Sequence, residues 1–251
     1  MAVAQRLNEN LKLLFWNVHC ENHNAGRIAA CLDTLIPDVA LLNEVTNEHL
    51  DVISGRFQYV VKARDYLQNG VLCHLVIAAK TPLAGIDILK HGEDNKQPAS
   101  WLARKMGWVE FLDTLAVSHR EPGLCMVCLH LSAGCGPARR RKELEAAATH
   151  IPRTGPCLVA GDFNSFSAPW IAPFVAAPLG YRWREWFWRE RQANDAWFAR
   201  RGFGAAVDAI TFPRFRFRMD QVYVRGINIT KAWVTKSSWG SDHRPIVVEL
   251  M

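Results

Sequence analysis

Asn17, Glu44, His130, the Asp162 and Asn164 pair, and the Asp242 and His243 pair each stand where an apolar run meets polar residues, and Asp220 stands near the start of another such run. Taken singly, each has an ordinary explanation. Asn17 and Glu44 could merely end strands, Gly-Asp-Phe-Asn-Ser at 161–165 could be a turn, and Asp242 and His243 could belong to a turn before Pro245. Independent turns, however, have little reason to choose amide, carboxylate and imidazole every time. If the apolar runs are strands of packed sheets, their ends can converge on one edge and form an oxygen-rich pocket. Such a pocket suits Mg²⁺ or Mn²⁺, which take oxygen ligands and keep several waters for a phosphate substrate. Zinc fits less well, because no H-x-x-x-H or paired-cysteine motif accompanies these residues.

Holding those groups requires strands and helices that the sequence can be read to contain. Residues 11–18 and 39–42 are nearly unbroken apolar runs, the pattern of strands covered on both faces. Between them, Ile28, Cys31, Leu32 and Leu35 recur at helical spacing until Pro37 ends the helix. Thr46 is placed to cap a short helix closing at Gly55. Asn69-Gly70 predicts a hairpin turn between strands at 59–63 and 71–79. Further strands are expected at 108–117 and 124–131, joined through Glu121-Pro122-Gly123, then at 157–160, 219–224 and 246–250, with a helix over 137–151.

The chain of 251 residues is 49% hydrophobic and 22% charged, enough apolar material for a substantial core and too much for disorder. No repeat or Gly/Ser-rich linker divides it, so residues 1–251 read as one domain. A net charge of +6 favours a polyanionic partner. No apolar run is long enough to span a membrane and residues 1–10 lack a signal-peptide core, so a soluble, cytoplasmic protein is expected. Seven scattered cysteines, an odd number, argue against a disulfide scaffold. The Cys125-Met126-Val127-Cys128 spacing is that of a metal or redox motif, but it falls within an apolar strand, where core packing is the simpler reading.

Six motifs, in order, resemble the endonuclease/exonuclease/phosphatase superfamily: W-N-V-H at 16–19, L-L-N-E-V at 41–45, C-L-H-L at 128–131, A-G-D-F-N-S at 160–165, R-M-D-Q-V-Y-V at 218–224 and S-D-H-R-P-I at 241–246. Together they cover almost the whole chain, and G-D-F-N with S-D-H-x-P is the specific part. The resemblance implies a four-layer α/β sandwich, two mainly antiparallel mixed sheets face to face with helices outside, and an active site at one edge. It implies that Glu44, with Asn17 and Asp242, holds a divalent metal. Asp162 and Asn164 would then orient and activate the attacking water, Asp220 would hydrogen-bond His243, and His130 would contact the phosphate or protonate the leaving oxygen. The H-L at 130–131 is similar to the deoxyribonuclease and sphingomyelinase branches, whereas apurinic-site endonucleases usually carry a Tyr-centred motif there.

Substrate is the less determined part. Arg139-Arg140-Arg141 could be a phosphate-binding patch or the solvated face of the 137–151 helix. Residues 181–201 hold six arginines against three acids, interleaved with Trp183, Trp186, Trp188 and Trp197. That segment could stack bases, meet an anionic membrane, or form an amphipathic helix packed on a sheet, with Trp186 and Trp188 as the candidate contact residues. The favoured reading is a metal-dependent nuclease acting on DNA or RNA. The alternative is a phosphodiesterase or phosphatase for a lipid head group or small phosphorylated metabolite. A binding module without catalysis is disfavoured because every expected polar position is present.

Overall fold

Apolar runs without strand-like alternation become strands buried on both sides. In the computed structural model, residues 10–90, 105, 107–119, 123–165, 181, 185 and 189–251 are described. Strand β1 (Leu11–Asn17), helix α1 (Ala25–Leu35) and β2 (Val39–Val45) form one crossover, with the two strands parallel neighbours. After α2 (Asn47–Ser54) come β3 (Tyr59–Gln68) and β4 (Val71–Ala79), an antiparallel hairpin turning on Asn69 and Gly70, both at positive φ. Then follow β5 (Leu83–Leu89), β6 (Val109–Glu110) and β7 (Thr114–His119). Strand β8 (Cys125–His130), helix α3 (Pro137–Ala147) and β9 (Cys157–Asp162) repeat the parallel crossover. Helix α4 (Glu190–Ala199), β10 (Gly204–Ala205), β11 (Asp220–Arg225), β12 (Ile229–Val234) and β13 (Ile246–Leu250) complete the described elements.

Among the described residues, one sheet has the order β12-β13-β1-β2-β4-β3-β6 and the other β10-β11-β9-β8-β7-β5. Only the β1/β2 and β8/β9 pairs are parallel; the remaining pairs are antiparallel. Phe15, Leu41, Ile77, Met126, Leu158 and Val222 fill the space between the sheets. The alternate residues, Leu14, Trp16, Leu42 and Val76, pack outward with Ile28 and Leu32 of α1. On the other sheet, Leu129, Val159 and Tyr223 pack outward against Leu144 of α3 and Trp197 and Phe198 of α4. The result is the helix, sheet, sheet, helix sandwich that the motifs imply. Both parallel pairs run toward the same edge of the sandwich, so Asn17, Glu44, His130 and Asp162 arrive there together, an edge at which α/β sheets commonly bind ligands.

Several elements differ from expectation. The run over 108–117 is broken at Leu112, whose φ is 49°, and divides into β6 and β7 because Phe111 and Leu112 give their N–H groups to Asp65 O instead of a ladder. The helix expected to reach 151 ends at Ala147 and continues as a 3₁₀ turn over Ala148–His150. Strands β5, β10 and β12 went unread because they are edge or short strands without a clean apolar alternation. Glu121 and Pro122 of the expected connection lie outside the described residues. The C-x-x-C pair is core material: Cys128 is buried with its Sγ 3.2 Å from Asn43 Oδ1, and Cys125 lies opposite Cys157 in the neighbouring strand. No described helix is long and apolar enough to cross a membrane.

Candidate active site

Two β-bulges build one wall of the site. Between Leu42 and Val45 the β2 strand carries one residue more than β4, and between Arg64 and Leu67 so does β3. Such an insertion re-aims side chains that strict alternation would send elsewhere. Glu44 sits in the first bulge at φ 60°, a strained backbone of the kind that collects at functional sites. Its Oε1 accepts from Asn17 Nδ2 at 2.7 Å, and its Oε2 accepts from the Tyr66 hydroxyl at 2.7 Å and from Cys20 N at 3.2 Å. Burial pushes the Glu44 carboxyl up, but the charges of His130 and His19 and the bonds from Asn17 and Tyr66 outweigh it and hold it below its ordinary range. Glu44 is therefore an ionised, fixed oxygen donor.

The second bulge delivers Asp65, which is fully buried. It accepts from Glu44 N at 3.0 Å and sits 2.9 Å from His130 Nδ1, so one carboxylate ties the Glu44 backbone to the His130 ring. Burial alone would depress His130; Asp65, then Asp162 and Glu44, reverse this and push the ring up to about 10. Asn164 Nδ2 lies 3.1 Å from His130 Nε2 and donates to Leu131 O at 2.8 Å.

Asp162 ends β9 between two imidazoles, 3.8 Å from His130 Nε2 and 3.7 Å from His243 Nε2. Its Oδ1 accepts from Asn164 N at 2.8 Å and its Oδ2 from Asn17 Nδ2 at 3.2 Å. The glycine before it is required: a Cβ on Gly161 would lie 2.4 Å from Leu129 O, so only glycine lets β9 approach β8 this closely. His243 arrives on the loop before β13, which is strapped to β1 by Ser241 Oγ donating to Asn17 O at 2.7 Å and by Trp16 Nε1 donating to His243 O at 3.1 Å. Its Nδ1 lies 2.7 Å from Asp220 Oδ2. Burial opposes protonation here too, but Asp220 and Asp162 push His243 up to about 10. Burial also raises Asp220, against the pull of His243; with the imidazole so close, the pair is best described as carboxylate and imidazolium.

The edge encloses a cavity of about 360 Å³, lined on one side by Glu44, His130, Asp162, Asn164, Asp242 and His243. Ligand atoms of Glu44, His130 and Asp162, and of Asp162, Asp220 and His243, form two clusters in each of which all lie within 4.8 Å of one another. Asp242 Oδ1 is enclosed and has no hydrogen-bond partner among the described residues, an open oxygen donor. Carboxylates outnumber imidazoles around this space, and the donors are predominantly oxygen. Both properties fit a hard dication such as Mg²⁺ or Mn²⁺.

The arginines of the candidate basic patch already have partners within the protein. Arg140 is 1% exposed and locked by Glu190 at 2.7 and 2.8 Å, by the carbonyls of Ser132 and Cys135 at 3.0 and 2.6 Å, and by Tyr181. Arg139 bonds Glu143 at 3.0 Å and Glu110 at 3.4 Å, and Arg141 bonds Glu145 at 3.2 Å. Arg140 is an internal staple, because the acid that pairs with it comes from Glu190 on a distant segment, whereas Arg139 and Arg141 each pair with an acid four residues on in their own helix and Arg139 also reaches Glu110. Trp186 and Trp188 lie outside the described residues. In the described part of that segment, Trp197 and Phe198 are core side chains, with Phe198 stacked on Tyr223 at 3.8 Å.

Sequence reasoning missed Asp65 and Tyr66, whose signal was an acid inside a β-rich run, where Asp is disfavoured. It also missed the opposite wall of the cavity, where Phe212, Phe215, Phe217 and Met219 line the space. The alternation of Arg and Phe over 214–218 was the available signal.

Comparison with known proteins gives a consistent picture. A family model described as the endonuclease/exonuclease/phosphatase family matches residues 14–243. No curated protein matches the chain. Among solved structures, an endonuclease/exonuclease/phosphatase from Beutenbergia cavernae DSM 12333 is similar with a TM-score of 0.73 and 17% identity, over 96% of this chain and 71% of that one. D. rerio TDP2 complexed with single strand DNA product has a TM-score of 0.63 and 16% identity, over 97% and 100% of the two chains. An AP endonuclease from Archaeoglobus fulgidus has a TM-score of 0.62 and 13% identity, over 95% and 98%. At these identities the likeness is one of fold.

Proposed function

This chain belongs to the endonuclease/exonuclease/phosphatase family, and from that premise we propose that it is a divalent-metal-dependent phosphodiesterase acting on nucleic acid. The observation that carries the reading is the Asp162 carboxylate, held between His130 and His243 while each imidazole is backed by its own acid, Asp65 or Asp220. Hydrolysis of a phosphodiester needs an oriented water, neutralisation of the nonbridging oxygens and a proton for the leaving oxygen.

Glu44 and Asp242 would hold Mg²⁺ or Mn²⁺, with Asn17 fixing the Glu44 carboxylate. When bound, the cation supplies charge neutralisation at the phosphate. Asp162, already aimed by Asn17 and the Asn164 N–H, orients the attacking water and takes its proton. His243 presents Nε2–H to a phosphate oxygen, its ring oriented by Asp220 at Nδ1. His130, oriented the same way by Asp65, contacts the phosphate from the other side or protonates the leaving oxygen, and Asn164 contacts the same oxygens. The two sheets share one core, which supports reading residues 1–251 as one catalytic domain. The seven free cysteines accord with a reducing, cytoplasmic location.

Nucleic acid is favoured by the net charge of +6, by the single strand DNA product bound to the D. rerio protein and by the AP endonuclease name of the Archaeoglobus fulgidus protein. The test is a panel of single- and double-stranded DNA, RNA, sphingomyelin, phosphoinositides and a small aryl phosphodiester, with Mg²⁺ or Mn²⁺ and with Glu44→Ala as control. Cleavage of a nucleic acid that EDTA abolishes is the expected result. Turnover of a lipid or metabolite alone replaces the substrate assignment, and full turnover in excess chelator removes the metal.

A further inference from the structure

We propose that the tip of the hairpin over residues 211–218 is a stacking platform for an unpaired base next to the scissile phosphate, which makes single-stranded nucleic acid the substrate class. The inference deepens the phosphodiesterase reading and rests on it. Phe212 and Phe217 pair across an antiparallel bridge, each donating its N–H to the other's carbonyl at 3.0 Å. The connection between them, residues 213–216, is closed by Arg216 N donating to Pro213 O at 3.2 Å and holds Arg216 at φ 58°, a backbone that a non-glycine residue adopts at a cost.

That turn sets three phenyl rings nearly parallel. Phe215 lies 5.9 Å from Phe212 at 11° and 5.8 Å from Phe217 at 29°. The rings form a cluster, Phe212 and Phe217 being 6.5 Å apart, and it begins at the reacting centre, where the Phe212 ring meets His243 edge-on at 5.0 Å. It ends in solvent, where Phe215 is 49% exposed between the exposed Arg214 and Arg216. Arg218 is committed to Asp208, but Arg214 and Arg216 form no ion pair among the described residues; Arg214 stays 5.6 Å from the Phe215 ring centre.

Nearly parallel rings, one of them half exposed, suit another flat ring, and the flanking guanidinium groups suit the phosphates on either side of it. A single strand offers both, because its bases expose their faces. In a duplex both faces of a base are covered by its neighbours, so a duplex cannot engage the stack without unpairing. A bilayer is a poorer match: one phenyl ring gives little apolar area, and among the described residues the other exposed large apolar side chains, Ile36, Val71, Ile86, Ile229 and Met251, do not line the cavity.

The experiment measures binding of labelled (dT)12, of a twelve-unit abasic strand with the same backbone, of a twelve-base-pair duplex and of phosphatidylserine vesicles, with EDTA present so that strands are bound and not cut. Removing one stacking ring should lower (dT)12 affinity by about 5- to 150-fold in Phe215→Ala, with Phe215→Trp restoring it. The preference of the wild type for (dT)12 over the abasic strand should shrink by the same factor. Replacing Arg214 and Arg216 by Gln should flatten the salt dependence by about 0.7 log units per lost contact. Wild-type cleavage of (dT)12 with Mg²⁺, combined with an unaltered base preference in Phe215→Ala, overturns the stacking platform and leaves the nuclease reading standing. A wild type that neither binds nor cuts any strand overturns both. Tighter binding of the duplex than of (dT)12, or loss of vesicle binding in Phe215→Ala without loss of base preference, also overturns the platform.

Discussion

Arg140→Ala separates a nucleic-acid grip from an internal staple. The guanidinium makes a two-point contact with Glu190 at 2.7 and 2.8 Å and bonds the carbonyls of Ser132 and Cys135 at 3.0 and 2.6 Å. Truncation takes all of these away and leaves Glu190, itself buried, as a carboxylate without this counter-ion. Breaking one side of a buried pair costs about 3–5 kcal/mol, because the remaining charge keeps its desolvation penalty. In a chain of this size each kcal/mol moves Tm by about 2–4 °C, so Tm should fall by roughly 6–20 °C. The segment that Arg140 holds directly follows His130, so turnover should fall as well. The paired change Arg140→Met with Glu190→Leu removes both charges together and should recover most of the stability. Thermal melts by circular dichroism, with a salt titration of oligonucleotide binding on the same samples, make the measurement. An Arg140→Ala protein melting within about 2 °C of wild type, with a salt slope reduced by about 0.7–0.9, would refute the staple and restore the phosphate contact.

Three further outcomes are expected. Tyr66→Phe deletes the hydroxyl that donates to Glu44 Oε2 at 2.7 Å and should weaken metal binding about 10- to 100-fold by calorimetric titration, with little change in Tm. Asp162→Asn keeps the shape of the side chain and loses its basicity, so kcat should drop by at least about 10²-fold while the melting temperature stays close to wild type; normal turnover would assign the proton to another group. His49 tests pH dependence away from the site. Burial holds its ring below the ordinary 6.5, and the ring accepts from Thr46 N while facing Asn22 O at 2.9 Å, an arrangement for the neutral form. The unfolded chain therefore binds a proton that the folded chain refuses, so this contribution is complete above about pH 6.5 and is lost as pH falls from there toward the folded-state value. His49→Gln, which can still close the capping box with Thr46, should flatten that part of a stability curve measured by urea titration.

Much of this protein was legible because it is local. Unbroken apolar runs at 11–18 and 39–42 mark doubly covered strands, Thr46 marks a cap, Asn69-Gly70 marks a turn, and the order of the polar motifs marks the family resemblance. The polar residues at the motif positions could be named for the same reason: each is anchored to a strand end whose direction the pattern fixes. Tertiary structure decided what depends on partners far along the chain. Asp65 and Tyr66 reach the site only because a bulge of β3 against β4 re-aims them, and a bulge is a mismatch between strands that neither strand shows alone. The fate of Arg140 was set by Glu190, fifty residues away, since a charge becomes a surface contact or a buried staple according to the dielectric and the counter-ion around it. Residue type fixes the chemistry a side chain can do, while burial and long-range pairing fix which chemistry it does.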